Sequence, residues 1–347
     1  MRIRNAIEIA SSLASIALLA SCEGGEPFVT GDGTTDTGGD WIVEDPPFPV
    51  QCPMSQIPTE QVVPLDVLVV VDNSRSMTEE QVNLAGEFPD LIREILMPPI
   101  DPVTGRPTHF PVQDLHIGVV STDMGTGGYT VETCSDPIDG DDGILMHAPN
   151  PAIAGCDAAY PDYLSYDHDV TDEAAVEWLA TGFGCIATLG SNGCGFEQHL
   201  KAAARALEHA VPGGPNAGFL RNDSVLAIVF VTDEEDCSVQ DPAIFNTADS
   251  TLGHLNLRCY LHPYMVSSVD HFLEAYRAAH PVERLYVGVI GGVPPDPQCE
   301  GGGDECRRRP CEEQPSHDSY PWWGVARYGN CERNGLSFVS TPSPSRL

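Results

Sequence analysis

Short apolar runs recur along the chain and predict the strands of one sheet. The first is 65–71, which is rich in valine and interrupted only by Asp66, and later runs cover 115–120, 225–231 and 285–290. Runs of this length and composition are typical of strands buried on both faces, as parallel strands are. A shorter apolar stretch at 336–340 predicts one more short strand.

Helical periodicity separates these runs. A helix is expected from Thr78, where Thr78 and Gln81 match a capping box, and Pro89 should kink or divide it. Two more amphipathic helices are expected at 196–210, with Val211 on the buried face, and at 265–279. The alternation predicts an α/β fold, a Rossmann-like doubly wound and mostly parallel sheet with helices on both faces.

Oxygen-bearing side chains follow the first strand directly. Asp72, Ser74 and Ser76 alternate, so a turning backbone can aim all three at one point. Open α/β sheets place their ligands at this end of the strands. One carboxylate and two hydroxyls suit a hard cation such as Mg²⁺. The alternative is that these residues only cap the next helix and fill a turn.

A second apolar run also ends in acids. The run 225–231 is followed by Thr232, Asp233 and three further acidic residues. The carboxyl ends of parallel strands meet at one edge of a sheet, so Asp233 is expected near Asp72.

The DxSxS pattern at a strand end resembles the metal-ion-dependent adhesion site of von Willebrand factor type A domains, and the resemblance covers about 65–292. It implies that Ser74 and Ser76 bind the metal and that Asp233 contributes, often through water. A partner's carboxylate would fill the last position. Mg²⁺ is the expected ion, with Mn²⁺ and Ca²⁺ as alternatives.

In that family a threonine of a second loop also binds the metal. The corresponding loop here matches poorly. Thr188 is the preferred candidate, Ser191 and Glu197 are the alternatives, and simple capping of the next helix is a further one.

The N-terminus predicts export. Residues 1–21 have a basic start and an apolar stretch too short to span a bilayer, and they are followed by Cys22. The sequence LASC resembles a bacterial lipobox, which implies lipidation of Cys22 and attachment to the cell envelope, and an ordinary secretory signal is the alternative. Residues 22–51, rich in Gly, Thr and Pro, predict a flexible acidic linker.

The remaining organisation is a domain at 52–292 and a Cys- and Pro-rich tail at 293–347. Residues 124–184 show little periodicity and predict a long insertion with an edge strand and a short helix near 172–179. The segment GCGFEQ at 193–198 and the tail resemble exported type A domain lipoproteins from bacteria related to Myxococcus.

Twelve cysteines in an exported chain predict disulfides rather than a metal site. Without Cys22 the number is odd, so one is expected to lack a partner within the chain. Cys237 and Cys259 are expected to staple the loop between them. The disulfide candidates are Cys134, Cys156, Cys185, Cys194, Cys237, Cys259, Cys299, Cys306, Cys311 and Cys331.

The formal net charge of −34 excludes nucleic acid as a natural partner, because such a surface repels phosphate. The first functional hypothesis is a membrane-anchored adhesion module that binds a carboxylate on a protein or surface ligand through its cation. The second is an envelope scaffold or assembly protein with a vestigial metal site. An enzyme is not expected, because hydrolase and nucleotide-binding motifs are missing from the sequence, and an uncharacterised hydrolase is the third alternative.

Overall fold

The computed structural model describes residues 63–167 and 171–291, together with the backbone of 338–340. The predicted signal peptide, Cys22, the linker and most of the Cys- and Pro-rich tail lie outside these residues. So do Cys299, Cys306, Cys311 and Cys331.

Six strands form one sheet. They are β1 (Leu65–Val71), β2 (Asp114–Ser121), β3 (Leu164–Asp167), β4 (Val225–Thr232), β5 (Leu285–Gly291) and β6 (Phe338–Ser340). Their order is β3-β2-β1-β4-β5-β6. All neighbours pair in parallel except the edge strand β3, which is antiparallel to β2. The prediction of an α/β fold with a mostly parallel sheet is confirmed.

Helices cover both faces of this sheet. The helices of the described residues are α1 (Thr78–Leu96), α2 (Glu173–Ala187), α3 (His199–His209), α4 (Arg258–Leu261) and α5 (Val269–Ala279), and all but the short α4 pack on the sheet. Successive side chains of a strand point to opposite faces. The odd-numbered residues of β1 therefore pack with α1 and α2, and Leu68 and Val70 pack with α3 and α5. Because both faces are buried, β1 is apolar at nearly every position.

The region 124–184 contains more regular structure than the sequence predicted. It contains an edge strand, β3, as expected. Its helix, however, has 15 residues and a largely buried second half, and it packs against α1 through rings such as Phe88 and Phe183, whose centroids are 4.9 Å apart. The sequence predicted only the first half of this helix, because the apolar residues of the second half surround it instead of forming a stripe.

Several details of the predicted helices differ in the structure. Of the two outcomes expected at Pro89, a kink or a division, the division does not occur, because the helix α1 runs on through Pro89, and α5 begins at Val269 and not at 265. The side chains of Thr78 and Gln81 form no capping box, because the Thr78 hydroxyl donates to the carbonyl of Arg75 and the helix begins without a side-chain cap. The helix α3 begins at His199 and not at 196, and Val211 beyond it is 55% exposed.

Disulfides link the loops of the described part, whose six cysteines are all paired. The pairs are Cys134–Cys194, Cys156–Cys185 and Cys237–Cys259. The prediction of a Cys237–Cys259 staple is confirmed. Cys134, Cys194 and Cys237 also belong to a separate apolar cluster with Phe196 and Phe245, which packs among the loops. Within the residues described, none of the helices has the length and apolar character needed to cross a bilayer.

Candidate functional site

The carboxyl ends of β1 and β4 bring Asp72 and Thr232 side by side. The strands are paired in register up to Val71 and Val231, and the Asp72 N–H donates to the Val231 carbonyl at 2.9 Å. The Thr232 hydroxyl then donates to Asp72 Oδ2 at 2.8 Å. The sheet itself therefore fixes the position of Asp72, which is fully buried.

Two further contacts hold the turn after Asp72. The Ser74 N–H donates to Asp72 Oδ1 at 2.8 Å, and the Gln81 side-chain amide donates to the Asp72 carbonyl at 2.9 Å. The first contact is an Asx turn, in which an aspartate accepts from the backbone two residues on. This turn brings the Ser74 and Ser76 hydroxyls together.

A chain of hydrogen bonds connects three of the predicted ligands. Ser74 Oγ lies 2.9 Å from Ser76 Oγ, and the Ser76 hydroxyl donates to Asp233 Oδ1 at 3.1 Å. Asp72, Ser74, Ser76 and Asp233 are separated by up to 161 positions in the sequence, yet the fold collects them at one edge of the sheet. The expected convergence of the two strand ends is observed.

The structure places the three second-loop candidates in different surroundings. Thr188 follows the end of α2, where its hydroxyl donates to the Gly184 carbonyl at 2.8 Å and its own carbonyl accepts from Asn150. Ser191 is half-buried in the loop that follows. The role of either residue as a metal ligand stays a prediction.

Glu197 is buried and lies close to the acids of the site. Burial and, after it, the nearby carboxylates of Glu234 and Asp72 together raise the pKa of Glu197 to about 8. Glu197 is therefore mostly protonated at pH 7. Of the three second-loop candidates, it is the one whose charge is coupled to that of Asp72.

His199 is a site residue that the sequence analysis missed. It is the first residue of α3, its Nε2 lies 3.9 Å from Asp72 Oδ2, and its Nδ1 lies 3.6 Å from Asp236 Oδ1. These are ion-pair distances, longer than hydrogen bonds. Burial alone would lower the pKa of His199, but the two carboxylates raise it to about 9, so the imidazole is charged at neutral pH.

The pKa values of the two aspartates of the site are shifted in opposite directions. Burial would raise the pKa of Asp72, but His199 and the Ser74 N–H outweigh it, and the pKa is lowered. Burial and the Asp72 carboxylate raise the pKa of Asp233, and they outweigh the hydrogen bond from the Ser76 hydroxyl, which lowers it. Asp72 is thus the stable negative charge of this edge, and Asp233 is the acid whose ionisation a cation would favour.

Unpartnered buried atoms gather around Asp72. Four buried atoms near Asp72 lack a hydrogen-bond partner in the part of the chain that the structure describes, namely Asn73 Oδ1, Gln81 Oε1, Thr122 Oγ1 and His199 Nε2, whereas Glu94 Oε2 is a further such atom near the end of α1. Each of the four residues either neighbours Asp72 in sequence, contacts it, or continues the strand beside it. Since buried polar groups are normally hydrogen-bonded, this concentration points to a polar ligand at this edge.

The side chains fit a hard cation. Two hydroxyls and two carboxylates are the oxygen ligands that Mg²⁺, Mn²⁺ and Ca²⁺ accept. Among the residues described, no three His, Cys, Asp or Glu side chains are grouped so that they could hold an ion by themselves. The hydroxyls of Ser74 and Ser76 would therefore have to supply part of the coordination.

Comparisons with known proteins do not place the chain in a family. No family model matches it, and no curated protein matches it. Similar solved structures are proximal thread matrix protein 1 from the mussel byssus, with 14% identity and a TM-score of 0.30, and the human COPII-coat protein Sec24c, with 9% and 0.32. A third is the pilus adhesin RrgA from Streptococcus pneumoniae, with 17% and 0.25.

These alignments cover 66%, 67% and 63% of this chain but only 38%, 27% and 24% of the three proteins, in the same order. With TM-scores below 0.5, they carry no argument about fold details or function.

Proposed function

We propose that the chain is an exported, lipid-anchored adhesion protein with a von Willebrand factor type A-like domain. Its domain binds a divalent cation, Mg²⁺ in the first place, at the carboxyl ends of β1 and β4. The cation then holds a carboxylate of a protein or surface ligand. The anchor is the lipid on Cys22, and the site of action is the bacterial cell envelope.

The observation that carries the proposal is the hydrogen-bonded series Ser74, Ser76 and Asp233. It supplies two hydroxyls and one carboxylate from two different strand ends to a single point. A turn that served only to cap α1 would direct its side chains to the helix, and α1 begins without any side-chain cap. The capping alternative is therefore less favoured.

Asp72 supports this site mainly by position and charge. Its two carboxylate oxygens accept hydrogen bonds from Ser74 and Thr232, so it orients the hydroxyl-bearing turn. A cation bound mainly by neutral hydroxyls would keep much of its charge. Such a cation attracts an external carboxylate, which is the chemistry that an adhesion site needs.

A specific contact favours the second candidate, a scaffold protein with a vestigial site. The charged His199 lies between Asp72 and Asp236 and already offsets part of their negative charge. An internal imidazolium could in this way replace the metal. A hydrolase stays the least favoured alternative, since it rests on no motif of the sequence.

The deciding experiment is thermal unfolding of the full chain, with its disulfides intact, in EDTA and in millimolar Mg²⁺, Mn²⁺ or Ca²⁺ at equal ionic strength. A ligand that binds only the folded state stabilises it by about 2.7 kcal/mol at a hundredfold excess over Kd. For a domain of this size each kcal/mol raises Tm by about 2–4 °C. We expect a rise of several degrees, which the double variant Ser76→Ala/Asp233→Asn should lack.

The matched control is Asp223→Asn, which removes one exposed carboxylate just before β4, at the opposite end of the strand. It should keep the full cation-dependent rise. Asp72 is left intact because its loss would leave the buried His199 without one of its two carboxylate partners. Equal midpoints with cation and with EDTA in the wild type would reject the adhesion mechanism and favour the scaffold.

A further inference from the structure

Thr122 has a buried hydroxyl without a partner. The residue is fully buried directly after β2, and its Oγ1 makes no hydrogen bond in the described part of the chain. The Thr122 backbone, by contrast, is satisfied, because its carbonyl accepts from the Gln198 N–H at 3.1 Å. Burying a hydroxyl without a partner costs free energy, so the position calls for a ligand.

The sheet register puts Thr122 next to Asp72. The strands β1 and β2 are paired in parallel up to Val71 and Ser121, so one further step brings Asp72 beside Thr122. Neighbouring strands lie about 4.8 Å apart. With Thr232 on the other side of Asp72, the carboxyl edge carries a row of three oxygen-bearing side chains.

The pleat of the strands assigns the three side chains to one face of the sheet. Val120 and Val70 belong to the apolar cluster with α3, and continuing the pleat one residue past Ser121 and Val71 directs Thr122 and Asp72 to that same side. This is the face on which Asp72 meets His199 at the start of α3. The Thr122 hydroxyl therefore lies on the side of the sheet that carries the candidate site.

We propose that Thr122 Oγ1 is the third hydroxyl ligand of the divalent cation, in the role that the sequence resemblance gives to a second-loop threonine. This inference rests on the proposed function. Thr188 is the weaker candidate for that role, because its contacts join it to Gly184 and Asn150 and not to the residues of the candidate site. Thr122 comes from a strand adjacent to β1 and is neutral, so it adds an oxygen without reducing the charge of the cation.

The test compares Thr122→Val with Thr188→Val in the full chain, by calorimetric titration with Mg²⁺ and Mn²⁺ and by thermal unfolding in EDTA. Valine keeps the branched shape and removes the hydroxyl. Thr122→Val should weaken cation binding at least about tenfold, the loss typical of removing a group that supports a metal. In EDTA its Tm should equal or exceed that of the wild type, because an unpartnered hydroxyl has been removed.

Thr188→Val should show the reverse, with cation affinity unchanged and a lower Tm in EDTA, since it loses a hydrogen bond. Thr122→Ser, which keeps a hydroxyl, should restore binding to within a few-fold of the wild type. The inference is overturned if Thr122→Val binds like the wild type, or if its Tm in EDTA falls as for loss of a hydrogen bond. If the wild type itself binds no cation, the proposed function fails and this inference fails with it. If the wild type binds the cation and Thr122→Val binds it equally well, only the inference about Thr122 fails.

Discussion

At the scale of single residues, charge pairing decides which acids of this molecule are ionised. Asp72 is fully buried and stays charged because His199, Thr232 and the Ser74 N–H all face it. Glu197 is buried as well, but no cation outweighs the neighbouring carboxylates, and its pKa rises to about 8. A bound metal would therefore change the ionisation of Glu197 far more than that of Asp72.

Asp142 offers a test of such pairing away from the candidate site. Burial would raise its pKa, but hydrogen bonds from Arg205 and His209 lower it. We expect Asp142→Asn to lower the free energy of unfolding at pH 7 by about 1 kcal/mol, an estimate reduced for the partial exposure of Arg205. Asparagine also tolerates the positive φ of 49° at this position.

The sign of the pH dependence follows from the lowered pKa. A group whose pKa is depressed in the folded state stabilises above its unfolded pKa, and this contribution is lost as the pH falls through the folded pKa. The difference in Tm between wild type and Asp142→Asn should thus be constant from pH 7 to about 5 and shrink below about 4. A difference that persists undiminished at pH 3 would contradict the ion-pair explanation.

At the scale of elements, the contact between α1 and α2 explains why the helix α2 has no polar face over its second half. Small residues allow close approach there. Gly182 packs onto Tyr160, whose own hydroxyl accepts from the Asp157 N–H and fixes the ring. The apolar contacts of α2 thus come from α1, from β3 and from the loop around Tyr160 at once.

The same substitution should therefore have opposite effects in the two helices. A Cβ at Gly182 would lie 2.8 Å from the Tyr160 ring, whereas a Cβ at the exposed Gly86 of α1 meets nothing within 4 Å. Gly182→Ala should destabilise by about 1–3 kcal/mol through overpacking. Gly86→Ala should stabilise by about 0.5–1 kcal/mol, because alanine is the better helix former.

Urea denaturation at fixed pH measures both changes, and each variant serves as the control for the other. A stabilised Gly182→Ala would mean that Tyr160 moves aside without cost, and the close packing proposed for this helix would then be wrong.

At the scale of the whole molecule, self-repulsion is the dominant electrostatic effect. The formal net charge is −34, and at the carboxyl edge Asp233, Glu234, Glu235 and Asp236 follow one another directly. A large net charge destabilises the compact state, and salt screens it. The same field attracts cations to the edge where the candidate site lies.

Added NaCl should therefore stabilise the protein without any specific site. Raising NaCl from about 10 mM to about 1 M shortens the Debye length from about 30 Å to about 3 Å. We expect Tm to rise by several degrees, equally in the wild type and in Ser76→Ala/Asp233→Asn. Differential scanning fluorimetry measures this. A flat or falling Tm would show that net repulsion does not limit stability.

The chain's own pattern determined the parts of this protein that depend on local chemistry. The strand β1 was predicted with its observed bounds, and β2, β4 and β5 within one residue at each end, because buried parallel strands are continuous apolar runs. Asp72, Ser74 and Ser76 were found together because they are neighbours in sequence. Asp233 was expected near them because the carboxyl ends of parallel strands lie at one edge of the sheet.

Only the tertiary structure decided the rest, because those residues act through distant partners. His199 had no sequence signal beyond its place at a helix start, and its charge comes from Asp72 and Asp236, far away in the chain. Gln81 was assigned to a helix cap, yet its side chain contacts Asp72 across the turn. Thr122 became a candidate ligand because strand pairing buries its hydroxyl beside Asp72 and leaves it unpartnered. Neither the burial nor the pairing can be predicted from a single stretch of sequence.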